Sequence, residues 1–268
     1  MSKIKIFSLG GLNENGKNMY IVDVDNNIFV LDAGLKYADD RMLGIDYVIP
    51  NFDYLKENKD RIKGLFITHG HYTQMGAISD ILTELPEINV YATEFTMELI
   101  KEELESDNVK NAKLNVIKPH HKISFGDVSV FPISLTHSVP GNVGYVINTK
   151  DGAIVYTGNF LFDQTMPDVY KTDIGKLAYV GKQGVLCLMS ESLYSEKKGF
   201  TTPNNRIGGI VLETLTKNEG RILFNLFQAQ LYRIQEIFNQ IMNTDRKVVI
   251  TGKKIEAIIN KAIDTGYI

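Results

Sequence analysis

The amino-acid sequence predicts an α/β protein, an α+β sandwich of sheets and helices rather than a doubly wound sheet, with a second and smaller α/β unit behind it. Three observations carry that expectation. From residue 3 to about 190, short β-like runs dominate, many bounded by Gly, Asn or Asp, and only two helical patterns interrupt them. After about residue 200 the apolar rhythm switches to helices alternating with strands. Between the two regimes lies "SEKKGFTTPNN", rich in Lys, Gly, Thr, Pro and Asn, which reads as a boundary.

In chain order, the expected strands of the first regime are "KIKIFSL", "MYIVDV", "NIFVLDAG", "GLFITH", "INVYA", "LNVIK", "VSVFPISLTH", "VGYVIN", "AIVYTGN" and "GVLCLMS". One helix follows Gly76 and stops before Pro86. The other starts near Thr93 and places Phe95, Leu99 and Leu104 on one face. In the second regime Ile207, Ile210, Val211 and Leu215 recur at helical spacing, followed by a strand, "RILFNLF". Leu231, Ile234, Phe238, Ile241 and Met242 mark a helix, "KVVI" a second strand, and Ile255, Ile258, Ile259 and Ala262 a last helix with Gly266 at its C′ position. That α-β-α-β-α run is the pattern of a parallel βαβ unit. It is thin for a sheet, and the expectation is that the unit is completed by another chain or that the reading frame is cut short.

Composition excludes several classes. The chain of 268 residues is 44% hydrophobic and 23% charged, ordinary for a globular protein. A net charge of −3 gives no general basic character, so any nucleic acid must use a local patch or a partner's charge. One cysteine, Cys187, lies in the apolar run "GVLCLM"; this rules out a disulfide framework and reads as a buried core thiol. No stretch is long enough to span a bilayer, and the apolar run at the N-terminus is too short for a signal peptide, so the expected location is cytoplasmic.

The chemistry lies in "ITHGHYTQMGA". His69 and His71, at i and i+2 beyond a strand end, can turn towards one point, and His137 follows another apolar run in "LTHSVPG". Neutral imidazoles of this kind hold zinc. Any one of them alone would read as a loop or core histidine; three at strand ends point to a shared site. His120 and His121, in "KPHHK", read instead as a solvated turn.

Several separate segments resemble one family. They are "LGGLNENGKNMYIVD", "LDAG", "ITHGHYTQMGA", "LTHSVPGNVG", "YTGNFLFDQT", "SESLYSEKKGFT", "GRILFNLFQAQLYRIQEI" and "KVVITGKKIEAIINKAIDTGYI". Together they resemble the ribonuclease J family, zinc-dependent exo- and endoribonucleases of the metallo-β-lactamase fold with a β-CASP insertion. The resemblance implies a metallo-β-lactamase αββα-type fold over residues 1–197 and the first part of a β-CASP α/β domain over 198–268. In that family two zinc ions act together on RNA. The resemblance assigns His69, His71 and His137 to one metal, and it gives Asp32 and Glu191 supporting roles.

The departures set the functional expectation. The positions of the second metal's loop aspartate and histidine hold Thr73 and Gln74, and the aspartate that bridges both metals is replaced by Asn159. A late histidine of the family has no counterpart here. Stripped of these anionic ligands, the pocket is expected to hold at most one zinc, no catalytic set survives, and cleavage by this chain alone is absent or very weak. In "FQAQLYR", Ala229 stands where the family has a serine that helps hold the RNA 5′ phosphate, and Tyr232 where a histidine is usual. Three readings follow: a non-catalytic subunit of RNA decay paired with a full-length ribonuclease J paralogue; a weak mono-zinc hydrolase; or a truncated product, completed by a C-terminal fragment or without a role of its own. The partners implied are RNA, bound weakly, and one of those proteins, with no membrane.

Overall fold

The computed structural model describes residues 1–199, 207–227 and 230–268. In chain order the first region contains β1 (Ile4–Gly10), β2 (Met19–Val24), β3 (Asn27–Leu31), the short pair β4 (Lys36–Tyr37) and β5 (Tyr47–Val48), α1 (Asp53–Glu57) and β6 (Ile62–Phe66). It continues with α2 (Tyr72–Met75), α3 (Ile78–Glu84), β7 (Asn89–Thr93), α4 (Glu94–Ser106), β8 (Lys113–Ile117), β9 (Ile123–Phe125) and β10 (Val128–Ser134). It closes with β11 (Val143–Thr149), β12 (Gly152–Tyr156), α5 (Ile174–Gln183) and β13 (Val185–Met189), and the helices α6 (Gly208–Lys217), α7 (Leu231–Ile241) and α8 (Lys253–Asp264) follow.

The larger sheet runs β1-β2-β3-β6-β7-β8, antiparallel up to β3 and parallel beyond it. The second runs β13-β12-β11-β10-β9, antiparallel except for the β12–β13 edge pair. Side chains alternate across each strand, and that alternation builds the layers. In β3, Phe29 and Leu31 join Phe66, Val130, Tyr145, Ile147 and Ile154 between the sheets. Ile28 and Val30 point the other way, to a second core with Ile78, Ile81, Phe95 and Ile100 of α3 and α4. Across the second sheet, Val146 and Val155 pack under Val180 of α5. The order helix, sheet, sheet, helix is the expected sandwich.

The helices after residue 207 form as their spacing predicts, and Gly266 takes φ +75° just past α8, as a C′ glycine should. The two strands expected beside them do not form ladders: "RILFNLF" and "KVVI" run without strand pairing. Residues of both runs line a cleft of about 830 Å³ together with Ile234, Phe238 and Ile259. The physical reason is that period-two apolar spacing specifies a buried face, whereas a strand also needs a neighbour to take its N–H and C=O groups. The α7 and α8 helices do not pack only on each other. Leu231, Ile234, Ile258, Ile259 and Ala262 belong to the same core as α3 and α4, and Tyr267 sets its ring 5.7 Å from that of Phe95. The expected boundary falls partly on residues 200–206, outside the described residues.

Candidate metal centre

The site grows from two strand ends. At the end of β3, Asp32 takes φ +61°, an uncommon left-handed turn for a residue with a side chain. That turn drops its carboxylate into the core, where it is fully buried. It accepts from the Thr68 backbone N–H at 2.8 Å, the Thr68 hydroxyl at 3.0 Å and the Tyr156 hydroxyl at 2.7 Å. Burial pushes its pKa up to about 7, with those bonds pulling the other way.

Thr68 passes this anchoring on to His69. A hydroxyl donates one proton. With that proton on Asp32, Thr68 Oγ1 accepts from His69 Nδ1–H, 2.9 Å away. His69 is thereby held as the Nδ1–H tautomer, and its Nε2 lone pair is left to face the other imidazoles. His69 Nε2 lies 3.1 Å from His71 Nδ1, and His137 Nε2 lies 3.2 Å from the same atom. Two nitrogens about 2.05 Å from a tetrahedral ion would be roughly 3.3 Å apart, so these spacings match one zinc-sized cation. His69 and His137 are also in the right charge state. Burial, then the neighbouring His137 and His71, hold the His69 pKa well below its usual value, and burial lowers that of His137 to about 3. Two imidazoles held neutral, with His71 Nδ1 between them, fit a metal. The grouping is the one expected from the sequence.

The residues at 73, 74 and 159 are arranged quite differently. The Thr73 hydroxyl donates to Gln74 Oε1; Gln74 Nε2 donates to Asn159 Oδ1 at 2.5 Å; Asn159 Nδ2 donates to Glu191 Oε2 at 2.6 Å. The Phe160 N–H closes the far end on Glu191 Oε1 at 2.8 Å. Burial raises the Glu191 pKa, against the pull of Phe160 and Asn159. A donor set of two amides, a hydroxyl and one carboxylate, bonded to one another, does not fit a second divalent cation.

The loop that carries these side chains is laced to the sequence's other two motifs through the backbone. Asn18 N–H and Asn18 Nδ2 both donate to the Thr73 carbonyl, Ala33 N–H donates to Gln74 O and Leu35 N–H to Tyr72 O. Gly34 has to be glycine, because a Cβ there would lie 1.7 Å from the Thr73 carbonyl oxygen. Asn18 belongs to the opening motif "GKNM" that carries the family resemblance, but Thr68 and Tyr156 were not singled out from the sequence. Thr68 is next to a candidate ligand, but Tyr156 reaches Asp32 from 124 residues away, and no local pattern announces that.

Three other expectations meet the structure here. His120 is not a freely solvated turn residue: it takes φ +67°, is half-buried beside the Phe131 ring, and sets Nε2 3.4 Å from Asp173, whereas His121 is exposed as expected. Cys187 is half-buried rather than buried, because β13 is an edge strand with one open flank. Tyr232 stacks edge-on with Tyr170 at 5.6 Å and ties α7 to the site, its N–H donating to the carbonyl of Ser138 beside His137. Ala229 lies outside the described residues.

Comparison with known proteins agrees with this architecture. The profile of the metallo-beta-lactamase superfamily matches residues 12–253. Ribonuclease J 2 of Staphylococcus aureus is 41% identical over 265 residues, 98% of this chain and 47% of that protein. Ribonuclease J 2 of Staphylococcus saprophyticus is 40% identical over the same shares. The chain thus spans about half the length of the curated relatives it matches. A solved structure of a protein of unknown function from Enterococcus faecalis superposes with a TM-score of 0.70 at 17% identity, over 99% of this chain and 68% of that one, which speaks to fold alone. No helix among the described residues is long and apolar enough to cross a membrane. With an αββα sandwich, three convergent imidazoles at its strand ends and this likeness along nearly its whole length, the chain belongs to the metallo-beta-lactamase superfamily and, within it, to the ribonuclease J family.

Proposed function

We propose that this chain is a ribonuclease J-like protein of RNA processing that holds at most one zinc ion, cleaves RNA weakly or not at all, and works as a non-catalytic cytoplasmic subunit beside a full-length ribonuclease J paralogue. One observation carries the reading: Thr73, Gln74 and Asn159 are uncharged and bonded into a chain of their own. Two divalent cations 4 Å apart repel by roughly 17 kcal/mol at an effective dielectric of about 20. Bridging carboxylates normally offset that repulsion, and none stands at these positions. A single ion on His69, His71 and His137 would supply Lewis acidity and an activated water. It would lack the second cation that clamps the other oxygen of an in-line displacement.

The test is turnover of a 5′-monophosphorylated RNA with added Mn²⁺ or Zn²⁺. The expected rate is on the order of a thousandfold or more below that of an intact relative, by analogy with the loss of a preorganised electrostatic group. Robust cleavage by this protein alone would sink the proposal. Co-purification with a full-length paralogue would support the subunit role. The convergence of three imidazoles favours one second reading, a slow mono-zinc hydrolase, which the same assay would reveal as low, metal-dependent turnover.

A further inference from the structure

We infer that the hydrogen-bonded chain Thr73–Gln74–Asn159–Glu191 takes the place of a second metal ion, so that the three substitutions at 73, 74 and 159 are a matched replacement rather than independent losses. The inference deepens the one-ion reading above and rests on it.

The direction of the bonds is the argument. Each inner link must accept from one neighbour and donate to the next. Gln74 accepts from the Thr73 hydroxyl through Oε1 and donates to Asn159 through Nε2. Asn159 accepts through Oδ1 and donates through Nδ2 to Glu191, the only charged member. An amide can do both at once; an ionised carboxylate only accepts, and it could not serve in the middle. An aspartate at 159 would still accept from Gln74, but it would set a second carboxylate against Glu191 where a donor now stands at 2.6 Å. The asparagine therefore suits this chain as specifically as a bridging aspartate suits a pair of metals.

The reach of the chain is that of a metal staple. It joins the loop after β6 to the end of β12, 85 residues away, and from there to the segment after β13, 32 residues further on. Gln74 is 1% exposed, so its amide has to be bonded by protein. The Asn142 amide adds a tie, donating to the Asn159 carbonyl at 3.1 Å. Gln74, Asn159 and Glu191 are thus positioning residues, holding the three segments without a cation.

Thermal unfolding of the wild type, Gln74→Ala, Asn159→Ala and Asn159→Asp, each in EDTA and again in excess Zn²⁺, with bound metal counted by elemental analysis, tests this. In EDTA all three variants are expected to melt about 5 °C or more below the wild type, the effect of losing one to two part-buried hydrogen bonds. Zinc on the three histidines raises every protein alike. Only Asn159→Asp is expected to recover its deficit in zinc and to bind more metal than the wild type, because a metal can reconcile two facing carboxylates. Equal melting in EDTA, a second tightly held ion in the wild type, or an Asn159→Asp deficit that zinc leaves untouched would each overturn the inference. Should Asn159→Asp fail to fold, the two alanine variants in EDTA decide. RNA cleavage by the wild type would defeat the proposed function without moving these melting differences, so the two can fail separately.

Discussion

The proton on His69 is placed by its neighbour rather than by a metal. Asp32, through Thr68, leaves one nitrogen free, and burial keeps His69 and His137 neutral, with opposite consequences for stability against pH. The pKa values of His137 and His69 are lowered on folding, so below about 6.5 the unfolded chain takes up protons that the folded one refuses, and stability falls with acid. The pKa of Asp32 is raised to about 7, so between pH ~4 and 7 the folded chain keeps a proton that the unfolded one releases, and stability rises with acid. Two histidines outweigh one aspartate. Taking these three groups alone, the metal-free protein should lose about 1.4 kcal/mol per pH unit between pH ~6 and ~4. Denaturant titrations across that range should show the slope flattened by about one proton in His137→Asn and steepened by about one proton in Asp32→Asn. A second prediction concerns Gly34. With a would-be Cβ 1.7 Å from the Thr73 carbonyl, Gly34→Ala should cost about 3 kcal/mol or more, or displace the loop enough to abolish zinc uptake, read by calorimetry and metal analysis.

Most of the elements could be read locally. The continuous apolar run of β3 is buried on both faces, with Ile28 and Val30 on one and Phe29 and Leu31 on the other, as a central strand between two layers requires. Helix α4 buries Phe95, Leu99 and Leu104 as its spacing requires. The α5 helix escaped the reading because Gly175 and Gly181 dilute its pattern; its apolar residues Leu177 and Val180 cover a sheet face only once that sheet exists, and its real signal was the Asp173 cap accepting from Lys176 N–H at 2.8 Å. The β-like runs after residue 220 mislead for the converse reason: the apolar residues are present and the pairing is not. The inter-sheet layer is where element packing is most exposed to test. Phe66 is fully buried, stacked on Tyr91 at 4.7 Å and edge-on to Tyr145, so Phe66→Ala should cost about 3–5 kcal/mol in equilibrium unfolding.

At the scale of the molecule, the helices after residue 207 are not a loose appendage. Ile259 is 2% exposed in the core shared with α3 and α4, and Lys261 reaches Glu98 at 3.5 Å. Ile259→Ala should therefore lower the main unfolding transition by about 2–5 kcal/mol, instead of creating a separate early one; two resolved transitions in calorimetry would show that α8 is energetically independent. By itself, the sequence determined the layers, since period-two and helical spacing are local facts, and it determined which residues compete for a metal, since three histidines after apolar runs are visible in one dimension. Only the tertiary structure decided what those residues became. Bringing three nitrogens within 3.1 and 3.2 Å, and running Gln74 to Asn159 across 85 residues, are outcomes of strand order and burial. Hydrogen bonds between segments that far apart leave no periodic trace in the chain, because the geometry that makes them exists only after the sheets have stacked.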